Sequence, residues 1–310
     1  MKTKIGSEAD LPIAAALLKQ GKPVAMPTET VYGLAAPVFD QAAVRSIFSI
    51  KGRPSDNPLI VHFYSLEDVL DHIEVSPEIL EKISRLVPGP VSFVAEKKTG
   101  SGIFTSGLQS IAFRIPSLDL CRRFLKSAGP VSAPSANMSG KPSITRFRDA
   151  REVFHGKVNI ILGESDTEIG LESSVIDIRR NPPLILRPGG LGIDSLKNIF
   201  SDIQIEKKYS EYVSSPGMKY RHYSPDAEVI LCEVLPEFPE KDSARIGFEM
   251  KNCSETDLVL SDNLQYMHEL YSFLIDSDRR KMKRIFCQSP LKDGFFDAIL
   301  NRLKKASEKI

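Results

Sequence analysis

Long apolar runs are missing from this sequence. No stretch approaches the roughly 18 to 20 residues that a membrane-spanning helix needs, and 26% of the residues are charged, so a soluble protein is expected. Cysteine is scarce and scattered. Cys121, Cys232, Cys253 and Cys287 show no CxxC spacing and no histidine at ligand distance, which argues against a zinc site and for reduced, partly buried thiols. Net charge is almost absent: 41 Lys and Arg against 40 Asp and Glu leave +1. A globally basic nucleic-acid binder is thereby excluded, although a local basic groove is not. The phosphate-binding patterns GxxxxGK[ST] and GxGxxG are both missing, and so are internal repeats and low-complexity tracts. The N-terminal MKTKIGSEADLPIAAALLKQGK reads as an amphipathic helix with Ser7 as N-cap and Gly21 past its end, not as a signal peptide. A cytoplasmic location is expected.

What is there fits two domains, since 310 residues can bury two cores. Up to about residue 200, helical and strand patterns alternate between short Pro/Gly turns. Helices are predicted at 8–20, 40–50, 65–73, 77–87, 118–127 and 145–154. Strands are predicted at 24–27, 59–63, 91–96, 110–115, 130–133, 158–162, 173–178 and 183–187. Eight strands with unequal connections imply an α/β fold with a large mixed sheet flanked by helices. Residues 205–226, rich in tyrosine and poor in aliphatics, read as a linker between a domain at 1–204 and a smaller α/β unit at 227–310. In that unit, residues 227–278 hold twelve acids against three bases, and 279–310 hold ten bases against three acids. Two oppositely charged faces that partly neutralise each other are the favoured reading; an RNA-contacting patch at Arg279–Arg284 is the sharper alternative.

Several polar segments stand near predicted strand ends. KGRPSDNPLIVH puts Lys51 and Arg53 just after a predicted helix, with Pro54 and Pro58 fixing the backbone between that helix and the strand at 59–63, a stiff mount for two cations. Such a pair suits a polyphosphate, with Arg as planar fork and Lys as point charge, although a helix C-terminus favours cations for dipole reasons as well. PTETVYGLAA sets Thr28, Glu29, Thr30 and Tyr32 at a strand exit, where α/β ligand sites commonly have their floor. In SIAFRI, alternation puts Ile111, Phe113 and Ile115 on one face and Ser110, Ala112 and Arg114 on the other. A mid-strand cation calls for a protein carboxylate or a bound anion, and both remain open. APSANMSGKPS offers Ser135, Asn137, Ser139, Lys141 and Ser143 on a loop of small residues whose N–H groups an anion can approach. GLESSVIDI and LRPGGL add Ser173, Ser174 and Arg187.

Taken in order, PTETVYGLAA, KGRPSDNPLIVH, PGPVSF, AFRIP, SAPSANMSGKPS, ESSVID and LRPGG resemble the YrdC-like family of L-threonylcarbamoyladenylate synthases over about residues 8–192. SPGMKYRHYSP with the α/β unit behind it is similar to the long, two-domain form. Ser92 and Ser174 stand where threonine is usual, and Leu118 where histidine often follows RIP. The resemblance implies a twisted mixed sheet with a concave positive cavity and a Rossmann-like C-terminal domain. It also implies the reaction of L-threonine, bicarbonate or CO2, and ATP to threonylcarbamoyl-AMP and pyrophosphate. A downstream threonylcarbamoyl-transfer complex then modifies an adenosine beside the anticodon of certain tRNAs; weak tRNA contact is an open expectation, membrane association is not.

By motif, the resemblance implies that Lys51, Arg53, Asn57, Ser110, Ser135, Ser143, Arg187 and Tyr223 attend ATP, Lys51 and Arg53 as the catalytic cations. Thr30, His62, Arg114, Ala133 through its backbone, and Ser173 would hold threonine. Mg2+ is expected on the ATP phosphates and not on a protein metal site. No Ser/His/Asp order for a nucleophile stands out, so His62 is read as a hydrogen-bonding contact and not a general base. Residues 205–226, with Arg221, His222 and Tyr223, are expected to act as tether or as lid. Two other functions compete: a related enzyme making a carbamoyl adenylate from another carbamoyl source, as in hydrogenase maturation, and a module gripping RNA phosphates.

Overall fold

The computed structural model describes residues 2–52, 58–205, 223–238 and 240–308. The first part of the chain forms β1 (Lys4–Gly6), α1 (Leu11–Lys19), β2 (Val24–Met26), β3 (Gly33–Pro37), α2 (Gln41–Lys51), β4 (Ile60–His62), α3 (Leu66–Leu70), β5 (Ile73–Glu74) and α4 (Pro77–Ser84). It continues through β6 (Val91–Lys97), β7 (Ser110–Arg114), α5 (Asp119–Ala128), β8 (Val131–Ser132), α6 (Phe147–Phe154), β9 (Ile160–Leu162), β10 (Ser174–Asp177), β11 (Leu184–Arg187), α7 (Ile193–Ile199) and β12 (Gln204–Ile205). Then follow β13 (Glu228–Cys232), β14 (Ser243–Gly247), β15 (Leu258–Val259), α8 (Asn263–Arg279), β16 (Arg284–Gln288) and α9 (Phe296–Ser307).

Local chemistry sets many of the boundaries. Asp40, Ser65 and Ser76 each accept a backbone N–H at the start of α2, α3 and α4, meeting donors that a helix leaves orphaned in its first turn. Gly52, at φ +59°, ends α2 in the left-handed conformation that glycine adopts without steric cost. Ser7 does not start an α-helix as expected; it precedes a 3-10 turn at Glu8–Asp10, and α1 begins only at Leu11.

Strands β1 to β12 make one mixed sheet in the order β1-β9-β2-β3-β8-β4-β7-β6-β10-β11-β12, with β5 on the side of β6. Apolar side chains seal it on helices: Val61, Phe63, Phe93, Phe113, Ile176 and Ile185 form one cluster, and Tyr32, Leu34, Ile47, Phe48 and Phe154 another. Each fully buried aliphatic or aromatic chain of this kind contributes about 1.5–3 kcal/mol. The last four strands form a parallel sheet, β13-β16-β14-β15, packed with α8 and α9 around Tyr266, Tyr271, Ile285 and Leu303. That cluster extends to Val31 and Leu171 of the first part, so apolar packing joins the two sheets. No helix among the described residues is long and apolar enough to cross a membrane.

Elements the sequence pattern missed are short or atypical. β3 is built from GLAAP, small residues without alternation, and lies outside the predicted strands. β1, β5 and β12 have two or three residues each, below the length at which period-two patterning shows, and α7 has two turns.

Candidate functional site

Strand register decides which polar side chains meet. His62 on β4 lies opposite Arg114 on β7, and Arg114 lies opposite Ser92 on β6. Opposed residues project from the same face, so the three form a row across neighbouring strands, while Phe113 turns to the other face and joins the core. Ser173, one residue before β10, extends the row, with its Oγ 2.8 Å from that of Ser92.

Arg114 is 3% exposed. Of the two partners left open by the sequence, the protein carboxylate is present: Glu29 Oε1 lies 2.7 Å from one terminal nitrogen, and the other donates to Thr30 Oγ1 at 2.7 Å. Burial pushes the Glu29 carboxyl up, but the adjacent Arg114 outweighs it and holds the group below its ordinary value. Arg114 Nε makes no hydrogen bond among the described residues, and the side chain borders the pocket described below. Burial first, and then the charge of Arg114, lower His62 to about 3. The imidazole is therefore neutral at neutral pH. Its Nδ1 faces the Ile60 carbonyl at 3.3 Å; a carbonyl can only accept, so Nδ1 carries the proton and Nε2 is left as an acceptor.

The second wall is the loop after β8. Lys51, 2% exposed, donates through Nζ to the carbonyls of Ser135 and Asn137, and its own carbonyl accepts from Ser139 N at 2.8 Å. Asn137 tightens the loop further, donating to Met138 O at 2.9 Å and Lys141 O at 2.7 Å while accepting from Ser135 Oγ at 2.6 Å. Lys51 thus brings a buried positive charge and ties the small-residue loop to the end of α2. On the third wall, Arg187 at the end of β11 donates to Ser173 O at 2.9 Å.

These walls enclose a pocket bordered by Lys51, His62, Arg114, Ser135, Ser173 and Arg187 together with Ala133 and Tyr223. Thr30 stands behind Arg114, and Ser143 donates to Glu172, itself a lining residue. Ser110 is not brought in. Alternation puts it on the same face as Arg114, but four residues away along β7, about 13 Å at a strand's rise, and it pairs with Glu96. Arg53, Asn57, Arg221 and His222 lie outside the described residues.

Sequence reasoning missed Glu172, Tyr271 and Arg302. Glu172 had a visible signal, an acid directly before Ser173. Arg302 and Tyr271 had none, because they sit on amphipathic helices of the other sheet. No group of three His, Cys, Asp or Glu among the described residues could hold a metal.

Known proteins are similar to this chain over nearly its whole length. The Sua5/YciO/YrdC family profile, described as "Telomere recombination", matches residues 16–189, and the profile "Threonylcarbamoyl-AMP synthase, C-terminal domain" matches residues 192–308. A threonylcarbamoyl-AMP synthase of Pyrococcus abyssi is 38% identical, the match covering 95% of this chain and 93% of that protein. One of Bacillus subtilis is 36% identical, over 95% and 92%. The crystal structure of P. abyssi Sua5 complexed with L-threonine superposes with a TM-score of 0.89 at 36% identity, covering 98% of each chain. With both profiles matched in order along one chain, this protein belongs to the Sua5/YciO/YrdC family, in the form that carries the C-terminal domain of threonylcarbamoyl-AMP synthases.

Proposed function

We infer that this chain is a threonylcarbamoyl-AMP synthase, which joins L-threonine, bicarbonate or CO2, and ATP into threonylcarbamoyl-AMP and releases pyrophosphate. The observation that carries the reading is a single pocket bordered by three buried cations, Lys51, Arg114 and Arg187. A free amino acid needs a cation for its carboxylate, and a triphosphate needs others. In this reading Arg114 takes the threonine carboxylate, flanked by Thr30, the His62 acceptor, the Ala133 backbone and Ser173. Lys51, Ser135, Ser143, Arg187 and Tyr223 attend ATP, joined by Arg53 and Asn57, with Ser110 the outlying member of the set.

The neutral threonine amine adds to CO2 and releases an N–H proton to solvent, or adds to bicarbonate with loss of water, and becomes a carbamate. A carbamate oxygen then attacks the α-phosphorus, the bond from that phosphorus to the bridging oxygen breaks, and pyrophosphate leaves with the electron pair. No side-chain nucleophile enters; the residues position the two substrates and offset charge on the oxygens. Neutral His62 orients a donor on threonine and carries no proton away. The acids adjoining the pocket, Glu29 and Glu172, are each engaged by an arginine, so Mg2+ comes as part of the nucleotide substrate, offsetting the charge of its phosphates. Residues 1–204 serve as the catalytic domain and 227–310 as the C-terminal α/β domain, and 205–226, of which 206–222 lie outside the described residues, as linker and lid that shields the labile mixed anhydride from water. The product passes to a threonylcarbamoyl-transfer complex acting on tRNA in the cytoplasm.

Pyrophosphate release from ATP tests the assignment. Release is expected only with threonine and bicarbonate both present; release at the same rate without threonine would overturn it.

A further inference from the structure

Glu172 is a carboxylate on the wall of a pocket read as binding anions, where an unscreened negative charge would repel them. Its oxygens are taken up by groups from both sheets. Ser143 Oγ donates to Oε1, and Tyr271 on α8 places its hydroxyl 3.2 and 3.0 Å from the two oxygens. Arg302 on α9 donates to Oε2 through Nε at 3.2 Å and through a terminal nitrogen at 3.1 Å.

Arg302 is 0% exposed. Its guanidinium lies 5.6 Å from the centre of the Tyr223 ring, that ring stacks on Tyr271 at 5.3 Å, and another Arg302 nitrogen donates to the carbonyl of Pro188, next to Arg187. Burial alone would raise the Glu172 carboxyl, but Arg302, then Arg187, then the Ser143 hydrogen bond outweigh it and keep the group ionised. Glu172 is thus paired directly with Arg302 and shares the pocket wall with Arg187, which donates to the carbonyl of the next residue, Ser173. The more of its charge Arg302 offsets, the less it subtracts from the field that Arg187 presents to a phosphate.

We propose that Arg302, in the C-terminal domain, is a positioning residue of the reaction: by pairing with Glu172 it keeps that carboxylate from neutralising Arg187, and so sets the affinity for the nucleotide without touching it. The inference rests on the proposed function and adds a dependence of the nucleotide site on the C-terminal domain.

Calorimetric titration of the full chain with ATP, and separately with threonine, tests it. Arg302→Met is expected to weaken ATP binding by about tenfold or more and to leave threonine binding within about twofold. Glu172→Gln in the Arg302→Met background removes the charge left bare and is expected to return ATP affinity to within about threefold of the wild type. A residue that merely docks the domain would show no such rescue, and a double variant as weak as Arg302→Met overturns the proposal. Glu172→Gln alone keeps the docking side chain and carries the test if Arg302→Met unfolds: ATP affinity unchanged or tighter supports the proposal, and a loss of about tenfold overturns it. Failure of the functional reading has a separate signature, a wild type that does not bind threonine.

Discussion

His62 and Arg114 face each other across β4 and β7 with Glu29 beneath, so one buried cluster combines a cation, an anion and a neutral ring. The neutral ring has a cost in acid. An unfolded His62 takes up a proton near its ordinary 6.5, the folded one only near 3. Its contribution to stability is therefore complete above pH 6.5 and is lost as pH falls toward 3, by up to about 1.4 kcal/mol per pH unit. Between pH 6.5 and 5 the cluster carboxylates, held below their ordinary value, do not yet titrate. His62→Gln is expected to flatten the stability curve in that window, measured by urea denaturation at stepped pH; slopes equal to the wild type would contradict the neutral-ring assignment. At this scale the sequence was half legible. Alternation in SIAFRI identified Arg114 as a cation needing a partner, but it says which face a side chain takes and not what lies across it. Glu29, 85 residues away, could be found only from the fold.

Elements carry the site to its place through short strands and tight approaches. β3 was illegible because GLAAP offers neither alternation nor β-branched bulk, yet it brings Gly33 beside Ser135 and closes the sheet between β2 and β8. Ser110 shows what alternation leaves out: it gives the face that Ser110 shares with Arg114 but not how far along β7 the two stand apart. Where the connection before β10 passes α8, Gly170 has φ +86°, and a Cβ there would lie 2.4 Å from the Met267 carbonyl oxygen and 2.5 Å from His268 Cα. Gly100, at φ +81°, has nothing within 4 Å of the same position. Gly170→Ala is expected to lower stability by about 1–3 kcal/mol more than Gly100→Ala, because both pay for the left-handed backbone and only one meets another element. Thermal unfolding of the two variants measures the difference; equal melting temperatures would mean that α8 does not hold this approach in solution.

Across the whole molecule, two sheets share one apolar cluster and a polar seam, in which Asp276 accepts from Arg146 at 2.7 and 2.8 Å and also pairs with Arg148 and Arg279. The uneven charge of the second unit suggests oppositely charged faces that partly neutralise each other. Arg279 pairs with Asp149 and Glu152 of the first part of the chain, and within the second unit Lys283 pairs with Asp242 and Arg284 with Glu240, so part of the basic run faces protein acids. What composition could not convey is that α8 and α9 reach Glu172 at the pocket wall. The central claim concerns convergence: strand ends from distant parts of the chain form one pocket in which Arg114 serves the amino acid and other cations serve the nucleotide. The double variant Glu29→Gln/Arg114→Gln tests it without leaving a bare buried carboxylate. Titrated calorimetrically, it is expected to lose about 2–5 kcal/mol of threonine affinity, roughly thirtyfold or more, with ATP affinity within about twofold of the wild type. Equal weakening of both ligands, or unchanged threonine binding, would contradict the account.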